Sequence, residues 1–206
     1  MLIRRERPTD IEAIDAVHGA AFPPPGAGAE PVEVGLVRAL RADPGWVPSL
    51  SLVALAGGDP DQGGGRGDVA GVPGGASAGG GPGVGVPAPL GAGTVIGHVV
   101  CTVGAVEDTP VLGLGPLGVL PERQRSGVGA ALMHAVLGAA DALDHPMVVL
   151  LGHVGYYRRF GFVPATSLGV TPPDPSWGDH FQARPLDRWS PEIRGRFRYA
   201  APFERL

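Results

Sequence analysis

The sequence predicts an α/β fold. Three observations support this prediction: predicted strands alternate with amphipathic helices, three consecutive strands fall between residues 50 and 120, and a glycine-bearing turn then leads into a long helix. At 206 residues the chain has the length of one well-packed domain. We therefore expect a single domain from residue 1 to residue 206.

The N-terminal part of the chain is expected to place two helices after a first strand. Leu2 to Arg4 predicts a short strand, and Thr9-Asp10 is suited to cap the helix that follows. That helix has apolar residues at helical spacing from Ile11 to His18 and ends before the prolines at 23–25. A second amphipathic helix is predicted from Pro31 to Ala42.

The next three strands are predicted to form an antiparallel meander. They cover Leu50 to Leu55, Thr94 to Val106 and Val111 to Leu120, and they are rich in apolar and β-branched residues. The turn sequence Glu107-Asp108-Thr109-Pro110 joins the last two strands. A compact apolar run from Met147 to Leu151 predicts a further strand.

The segment from 57 to 92 differs in composition from the rest of the chain. It holds 15 glycines and 5 prolines in 36 residues, well above the roughly 25–30% that indicates disorder. Few large apolar side chains are present to offset the entropy cost of ordering these glycines. We interpret the segment as a flexible insertion between two strands, with a lid or docking segment as the alternative.

Composition and charge exclude several classes of protein. The net charge of −4, from 16 basic and 20 acidic residues, does not favour nucleic acid as a partner. A single cysteine, Cys101, excludes an internal disulfide and is typical of a reducing compartment. The sequence shows no secretory leader and no apolar run long enough to cross a membrane. We expect a soluble cytoplasmic protein.

A long helix is predicted to begin at Val128. Apolar residues recur at three- and four-residue steps from there to Leu143, which predicts one buried face. The segment Gln124 to Gly129 can direct free backbone N–H groups, the positive end of the helix dipole and Arg125 at one point. It matches neither the dinucleotide fingerprint nor a Walker loop. The pattern favours an anion site, and a glycine turn without a ligand is the alternative.

Two segments resemble motifs of one family. Leu117 to Ala130 resembles motif A of the GNAT N-acyltransferases, in which Q/R-x-x-G-x-G/A follows an apolar strand. Gly155 to Phe162, with the sequence GYYRRFGF, resembles motif B of the same family. GHVV at Gly97 to Val100 and RYAAPF at Arg198 to Phe203 are further similar to the bacterial YhbS-like group of that family.

The resemblance implies a GNAT-like fold, in which helices flank a mixed central sheet, and acetyl-CoA as cosubstrate without a metal. It implies that backbone N–H groups of Leu117, Gly118 and Val119 meet the acyl carbonyl and that Tyr157 protonates the departing thiolate. Packing of Tyr157 on the pantetheine arm is the alternative role. The residues implied to hold the pyrophosphate are Gln124, Arg125, Ser126, Gly127, Val128, Gly129 and Ala130.

A general base is not evident in the sequence. Some members of the family carry a glutamate on the fourth strand at the position of Gly113. His153, after the fifth strand, is a candidate base because an imidazole titrates near neutral pH. Glu107 is expected in a solvated turn together with Asp108. His98 and Cys101 are expected in the core, and a water chain is an alternative route for the amine proton.

The first functional hypothesis is an N-acetyltransferase that moves the acetyl group to a primary amine of a small molecule or peptide, by direct attack in a ternary complex. A non-catalytic acyl-CoA-binding sensor or interaction module and a generic α/β domain are the alternatives. The family builds its acceptor pocket from segments that correspond to Phe22 to Pro31 and Ala165 to Gly178. The C-terminal run to Phe203 is expected to add a strand with a solvated face. No membrane partner is expected, and a homodimer is compatible with the sequence.

Overall fold

A computed structural model describes residues 1–24, 26, 28–57 and 93–205. The predicted insertion at 57–92 lies outside the described residues except for Gly57. The described part of the chain forms four α-helices and nine strands. The helices are α1 (Ile11–Ala21), α2 (Val32–Arg41), α3 (Val128–Ala142) and α4 (Val154–Tyr157). The strands are β1 (Leu2–Arg5), β2 (Trp46–Leu55), β3 (Val95–Val106), β4 (Thr109–Val119), β5 (Met147–Leu151), β6 (Val163–Pro164), β7 (Val170–Thr171), β8 (Phe181–Pro185) and β9 (Gly195–Arg198).

The strands form a mixed sheet in the order β1-β2-β3-β4-β5-β8-β6, with β9 pairing to β3 and β7 beside it. The predicted antiparallel meander is confirmed, because β2 pairs with β3 and β3 with β4 in antiparallel register. β5 then pairs with β4 in parallel, after the crossover through α3. The α/β class and the mixed sheet flanked by helices, which the resemblance implied, are therefore confirmed.

β4 and β5 share only a short ladder. Their parallel register covers Leu112 with Val148 and Gly113 with Val149, and no later pair joins these two strands in the described structure. Between the Leu114 and Leu117 pairings, β4 also has one residue more than β3. Such a bulge bends a strand. The end of β4 is left without a sheet partner on the β5 side, which opens the sheet there.

The core packs α3 against one face of the sheet. Leu132, Met133 and Val136 of α3 are fully buried in a cluster with residues of β2, β3 and β4. Two predicted stripe positions were wrong: Ile11 is 38% exposed and Leu143 is 45% exposed. Both residues lie at a helix terminus, the first position of α1 and the C-cap of α3, where the helix extends past the sheet.

A chain of polar groups is buried between α1 and the sheet. Nε2 of His18 lies 2.8 Å from Nδ1 of His98, and Nε2 of His98 lies 2.9 Å from Oγ of Ser51. The Ser51 hydroxyl donates to Glu6, whose carboxylate also accepts from Arg41 at 2.6 Å. The expectation that His98 lies in the core is confirmed, and the same holds for the fully buried Cys101.

None of the helices in the described ranges is long and apolar enough to cross a membrane.

The buried network of polar groups around His18, His98 and Glu6 predicts a loss of stability in acid. Burial, with a smaller contribution from the adjacent His98, lowers the pKa of His18 to about 3. Burial opposes ionisation of Glu6, yet hydrogen bonds from His98, Ser51 and Arg41 lower its pKa to about 2. Both groups are deprotonated in the fold at pH values where the unfolded chain binds protons. Stability is therefore complete above pH 6.5 and decreases as the pH falls toward 3.

Urea denaturation of the wild type between pH 7 and pH 3 checks this expectation. Glu6→Gln should flatten the decline below pH 4.5 and leave a decline between pH 6.5 and 4.5 in place, because burial lowers the pKa of both His18 and His98 and these two histidines cause the upper part. An unfolding free energy that is equal at pH 7 and pH 4.5 in the wild type would contradict the assignment to the two histidines.

A second prediction concerns the connection between β2 and β3. Leu55 pairs with Val95, and the N–H of Ala56 donates to the carbonyl of Thr94 at 2.9 Å. Deletion of residues 58–92 would therefore join Gly57 to Gly93 as a two-residue Gly-Gly hairpin loop, which suits the type I′ turn. A thermal melt should show one cooperative transition, unchanged or raised by about a few degrees because less loop entropy is lost. Loss of the transition would show that the segment is part of the fold.

Candidate active site

The N-terminus of α3 presents backbone donors without acceptors. Gly127 is the N-cap with φ +90°, and no side chain caps the helix. The first hydrogen bond of the helix runs from the N–H of Ala131 to the Gly127 carbonyl at 3.0 Å. The N–H groups of Val128, Gly129 and Ala130 therefore lack a helical acceptor, and the helix dipole adds positive potential. This arrangement can bind an anion.

The turn before α3 holds its shape through its own side chains. The Ser126 hydroxyl donates to the Arg123 carbonyl at 2.6 Å, and Nε2 of Gln124 donates to the Val119 carbonyl at 3.2 Å. A Cβ at Gly129 would lie 2.8 Å from the Tyr156 hydroxyl, so a larger residue there would displace the Tyr156 side chain. Gln124 and Ser126 thus fix the loop, and Gly129 keeps space between the loop and the tyrosine.

The end of β4 provides a second set of backbone donors. The N–H of Leu120 donates to the Ile96 carbonyl of β3 at 3.1 Å. Because alternate residues of a strand turn their N–H groups to opposite sides, Gly118 also points to β3, while Leu117 and Val119 point away from it. The N–H groups of these two residues face the opening where β4 is no longer paired with β5. They are suited to polarise a carbonyl.

Gly118 has a packing role at this position. A Cβ there would lie 2.8 Å from Nδ1 of His18. This Nδ1 atom is buried and has no hydrogen-bond partner among the described residues. Gly118 thus lets α1 approach β4, and it does not line the cavity described below.

Two tyrosines follow β5 on α4. The ring of Tyr157 packs over Gly152, where a Cβ would lie 2.3 Å from the ring, and meets the Tyr156 ring edge-on at 4.9 Å between centroids. Burial, with a smaller contribution from Tyr156, raises the pKa of Tyr157 to about 12. The phenol therefore stays protonated at neutral pH, as a proton donor must. The guanidinium of Arg159 lies 4.3 Å from the Tyr156 ring centroid.

These donors surround one cavity of about 680 Å³. Tyr157 lines it together with Phe22 of the α1–α2 connection and Arg159. Among the residues predicted to contact the cosubstrate, those that line the cavity are Leu117, Val119, Gln124, Arg125, Gly127, Gly129 and Ala130. Gly118, Ser126 and Val128 lie outside the lining, and the Val128 side chain is buried in the core against the sheet.

A second cavity of about 440 Å³ adjoins the first. Phe22, Leu117 and Tyr157 line both cavities, so the two meet beside the end of β4. The predicted acceptor segments contribute Phe22 and Trp177. The C-terminal run forms β9 with one solvated face, as predicted, since Arg196 and Arg198 are exposed and Phe197 is buried. Tyr199 and Phe203, which follow this strand, line the second cavity.

The structure separates the candidate bases from both cavities. A Cβ at Gly113 would lie 2.8 Å from the Tyr199 ring, so this ring occupies the space that a side chain at position 113 would need. His153 lines neither cavity and faces the ring of His180 at 6.5 Å between centroids. Glu107 lies in the predicted turn but accepts the N–H of Arg196 at 2.6 Å, so it is engaged rather than simply solvated.

Sequence analysis did not identify several residues of these cavities, among them Glu33, Arg159, Phe22 and Tyr199. Arg159 lies within Gly155 to Phe162, the segment that resembles motif B, so its positive charge could have indicated a role in the site. Phe22 was assigned only to a segment, and nothing in the sequence indicated that Tyr199 would pack over Gly113. The described residues contain no cluster of His, Cys, Asp or Glu that could hold a metal ion.

A family model and several known proteins match this chain. The family model described as "Acetyltransferase (GNAT) domain" matches residues 90–164. The N-acetyltransferase YjhQ of Escherichia coli K12 is 32% identical over 120 residues, which cover 54% of this chain and 66% of that protein, just under two thirds of its length.

Solved structures match over nearly the whole chain. A GNAT family acetyltransferase from Brucella melitensis, in complex with acetyl-CoA, is 30% identical with a TM-score of 0.64, over 98% of this chain and 97% of that one. The GNAT family N-acetyltransferase YhbS from Escherichia coli, in complex with CoA, has a TM-score of 0.71 at 24% identity, over 100% of this chain and 92% of that one. The latter likeness supports the fold.

The turn at Gly127 predicts how affinity for acetyl-CoA responds to charge. Gly127→Glu should weaken binding at least about tenfold more than Gly127→Gln, because both changes strain the positive-φ backbone equally and only the first adds negative charge at an anion site. Isothermal titration with acetyl-CoA measures both affinities, and a thermal melt confirms that both variants fold. Equal affinities of the two variants would show that the anion does not bind at this turn.

Proposed function

This chain belongs to the GNAT acetyltransferase family, and on that premise we propose that it transfers the acetyl group of acetyl-CoA to a primary amine of a small molecule or peptide. The transfer is direct, within a ternary complex. The relatives from Brucella melitensis and Escherichia coli, whose structures hold acetyl-CoA and CoA, support the choice of cosubstrate.

The meeting of the two cavities is the observation that carries this proposal. One cavity reaches the free N–H groups at the start of α3, and the other lies between α2 and Phe203 near the C-terminus. They join at Leu117 and Tyr157, which line both. Two substrates, one bound in each cavity, would therefore bring their reactive groups together there. Such positioning alone supplies much of the rate of a two-substrate reaction.

The residues of the first cavity fit acetyl-CoA. The N–H groups of Val128, Gly129 and Ala130 would hold the pyrophosphate, with Arg125 on the same turn as a further cation. Those of Leu117 and Val119 would hold the acyl carbonyl oxygen and stabilise the negative charge that develops on it. Acetyl-CoA supplies an activated thioester, whose carbon–sulfur bond breaks as the amine nitrogen bonds to the carbonyl carbon.

Tyr157 acts as the general acid in this proposal. Its hydroxyl gives its proton to the sulfur that leaves and regains one from the amine side or from solvent, so the protein returns to its starting state. Its raised pKa keeps the phenol protonated between transfers. Tyr156 packs between Tyr157 and the turn before α3 and forms part of the wall of the first cavity.

Acyl-CoA binding without transfer is the second candidate function, because Gly113 has no side chain to act as a base and the Tyr199 ring occupies the space that one would need. A thiol-release assay over a panel of amines separates the two candidates. Release that depends on an amine supports the transferase, and tight acetyl-CoA binding without release on any amine supports the binding module.

Substitution of Tyr157 tests the assigned acid. Tyr157→Phe should lower kcat by roughly 10²-fold, the usual contribution of a general acid, and leave the Kd of acetyl-CoA within about twofold. Tyr156→Phe is the matched control, because it removes the neighbouring hydroxyl and should change kcat little. Thiol release gives the rate and isothermal titration gives the Kd. A wild-type rate in Tyr157→Phe would exclude the acid role and leave only packing.

A further inference from the structure

The acceptor cavity has a charge pattern that indicates its ligand. Its lining is mostly apolar and includes the rings of Phe22, Tyr157, Trp177, Tyr199 and Phe203. Glu33 is the one charged side chain on its wall, and no lysine, arginine or histidine lines it within the described residues. A ligand with a carboxylate or phosphate would therefore bury that charge beside Glu33 without a cation.

Glu33 has unused bonding capacity. It lies in the first turn of α2, and its Oε2 atom is buried with no hydrogen-bond partner among the residues described. The neighbouring acids are engaged, since Arg38 pairs with Glu30 at 3.0 Å and with Asp15 at 2.9 Å. The dipole of α2 favours an acidic residue in its first turn. This preference does not explain why the Glu33 side chain faces the cavity, because a carboxylate that faces solvent would interact with the dipole equally well. A ligand that fills this apolar cavity displaces water from the Glu33 carboxylate on its wall, so a ligand that brings a hydrogen-bond donor is favoured over one that brings none.

An ammonium group provides that donor. It carries positive charge and N–H groups, and the aromatic rings around the cavity favour a cation through their electron-rich faces. The volume of about 440 Å³ suits a small molecule, and the five rings suit an aromatic body.

We propose, on the basis of the function proposed above, that Glu33 binds the amino group of the acceptor and that the acceptor is an arylalkylamine without an acidic group. The ammonium pairs with Glu33 on entry, and the ring fills the aromatic part of the cavity. Glu33 is then the residue that selects amines, and the described lining offers no cation to pair with the carboxylate of an amino acid.

Three related probes test the class of ligand. Phenethylamine has the amine and the ring, phenylalanine adds a carboxylate, and 2-phenylethanol lacks the amine. Isothermal titration of each into the protein saturated with CoA, where no transfer occurs, should show phenethylamine binding at least tenfold more tightly than either of the others. Phenylalanine or 2-phenylethanol binding as tightly as phenethylamine would overturn the proposal.

Substitution of Glu33 tests the assigned residue. Glu33→Gln should weaken phenethylamine binding and raise its KM at least tenfold, with the Kd of acetyl-CoA unchanged. Glu30→Gln is the matched control, because Glu30 lies close in sequence, pairs with Arg38 and lines neither cavity. Equal effects of the two variants would overturn the role of Glu33.

The same measurements separate this inference from the proposed function. If acetyl-CoA binds and a polyamine or a peptide amine is acetylated while phenethylamine is neither bound nor acetylated, the acceptor class is wrong and the transferase stands. If acetyl-CoA itself does not bind, the proposed function fails, and with it the inference that rests on it.

Discussion

The parting of β4 from β5 is the constraint on which the rest of the site depends. After the pairs Leu112–Val148 and Gly113–Val149, β4 continues to Val119 with no strand paired to it on that side in the part of the chain that the structure describes. Backbone N–H groups in such a position must find another acceptor, because a buried unpaired donor is costly. The opening therefore creates donors at Leu117 and Val119 and also the space for a ligand that satisfies them. A fully paired sheet would have neither.

Close packing around glycines then positions the aromatic groups of the site. Tyr156, Tyr157 and Tyr199 each lie where the Cβ of a larger residue would be, over Gly129, Gly152 and Gly113 respectively. At Gly152 and Gly113 the side chain that would be displaced is an aromatic ring packed among other rings. Each pair links two elements that are distant in sequence or separated by a turn. These glycines leave the space that the tyrosine side chains occupy beside the opening of the sheet. Their small size therefore matters more at these positions than their conformational freedom.

Features of the fold that depend on neighbouring residues could be predicted from the sequence. Apolar periodicity located α1, α2 and α3 and the meander, and the positive end of α3 with its glycine turn followed from the order of residues around Gly127. The long-range placements were not accessible from periodicity. That Tyr199 fills the space at Gly113, that Gly118 packs against His18, and that Glu33 faces a cavity all depend on elements far apart in sequence. Helix termini were also misjudged, since Ile11 and Leu143 continue the apolar pattern beyond the surface that buries it.

A crystal structure of the protein with coenzyme A tests the central claim most directly, because it locates the pyrophosphate and the sulfur at once. The account predicts pyrophosphate oxygens within about 3.2 Å of the N–H groups of Val128, Gly129 and Ala130, with the sulfur beside Leu117 and Tyr157. A pyrophosphate bound away from the start of α3, or a sulfur that lies outside the junction of the two cavities, would contradict it.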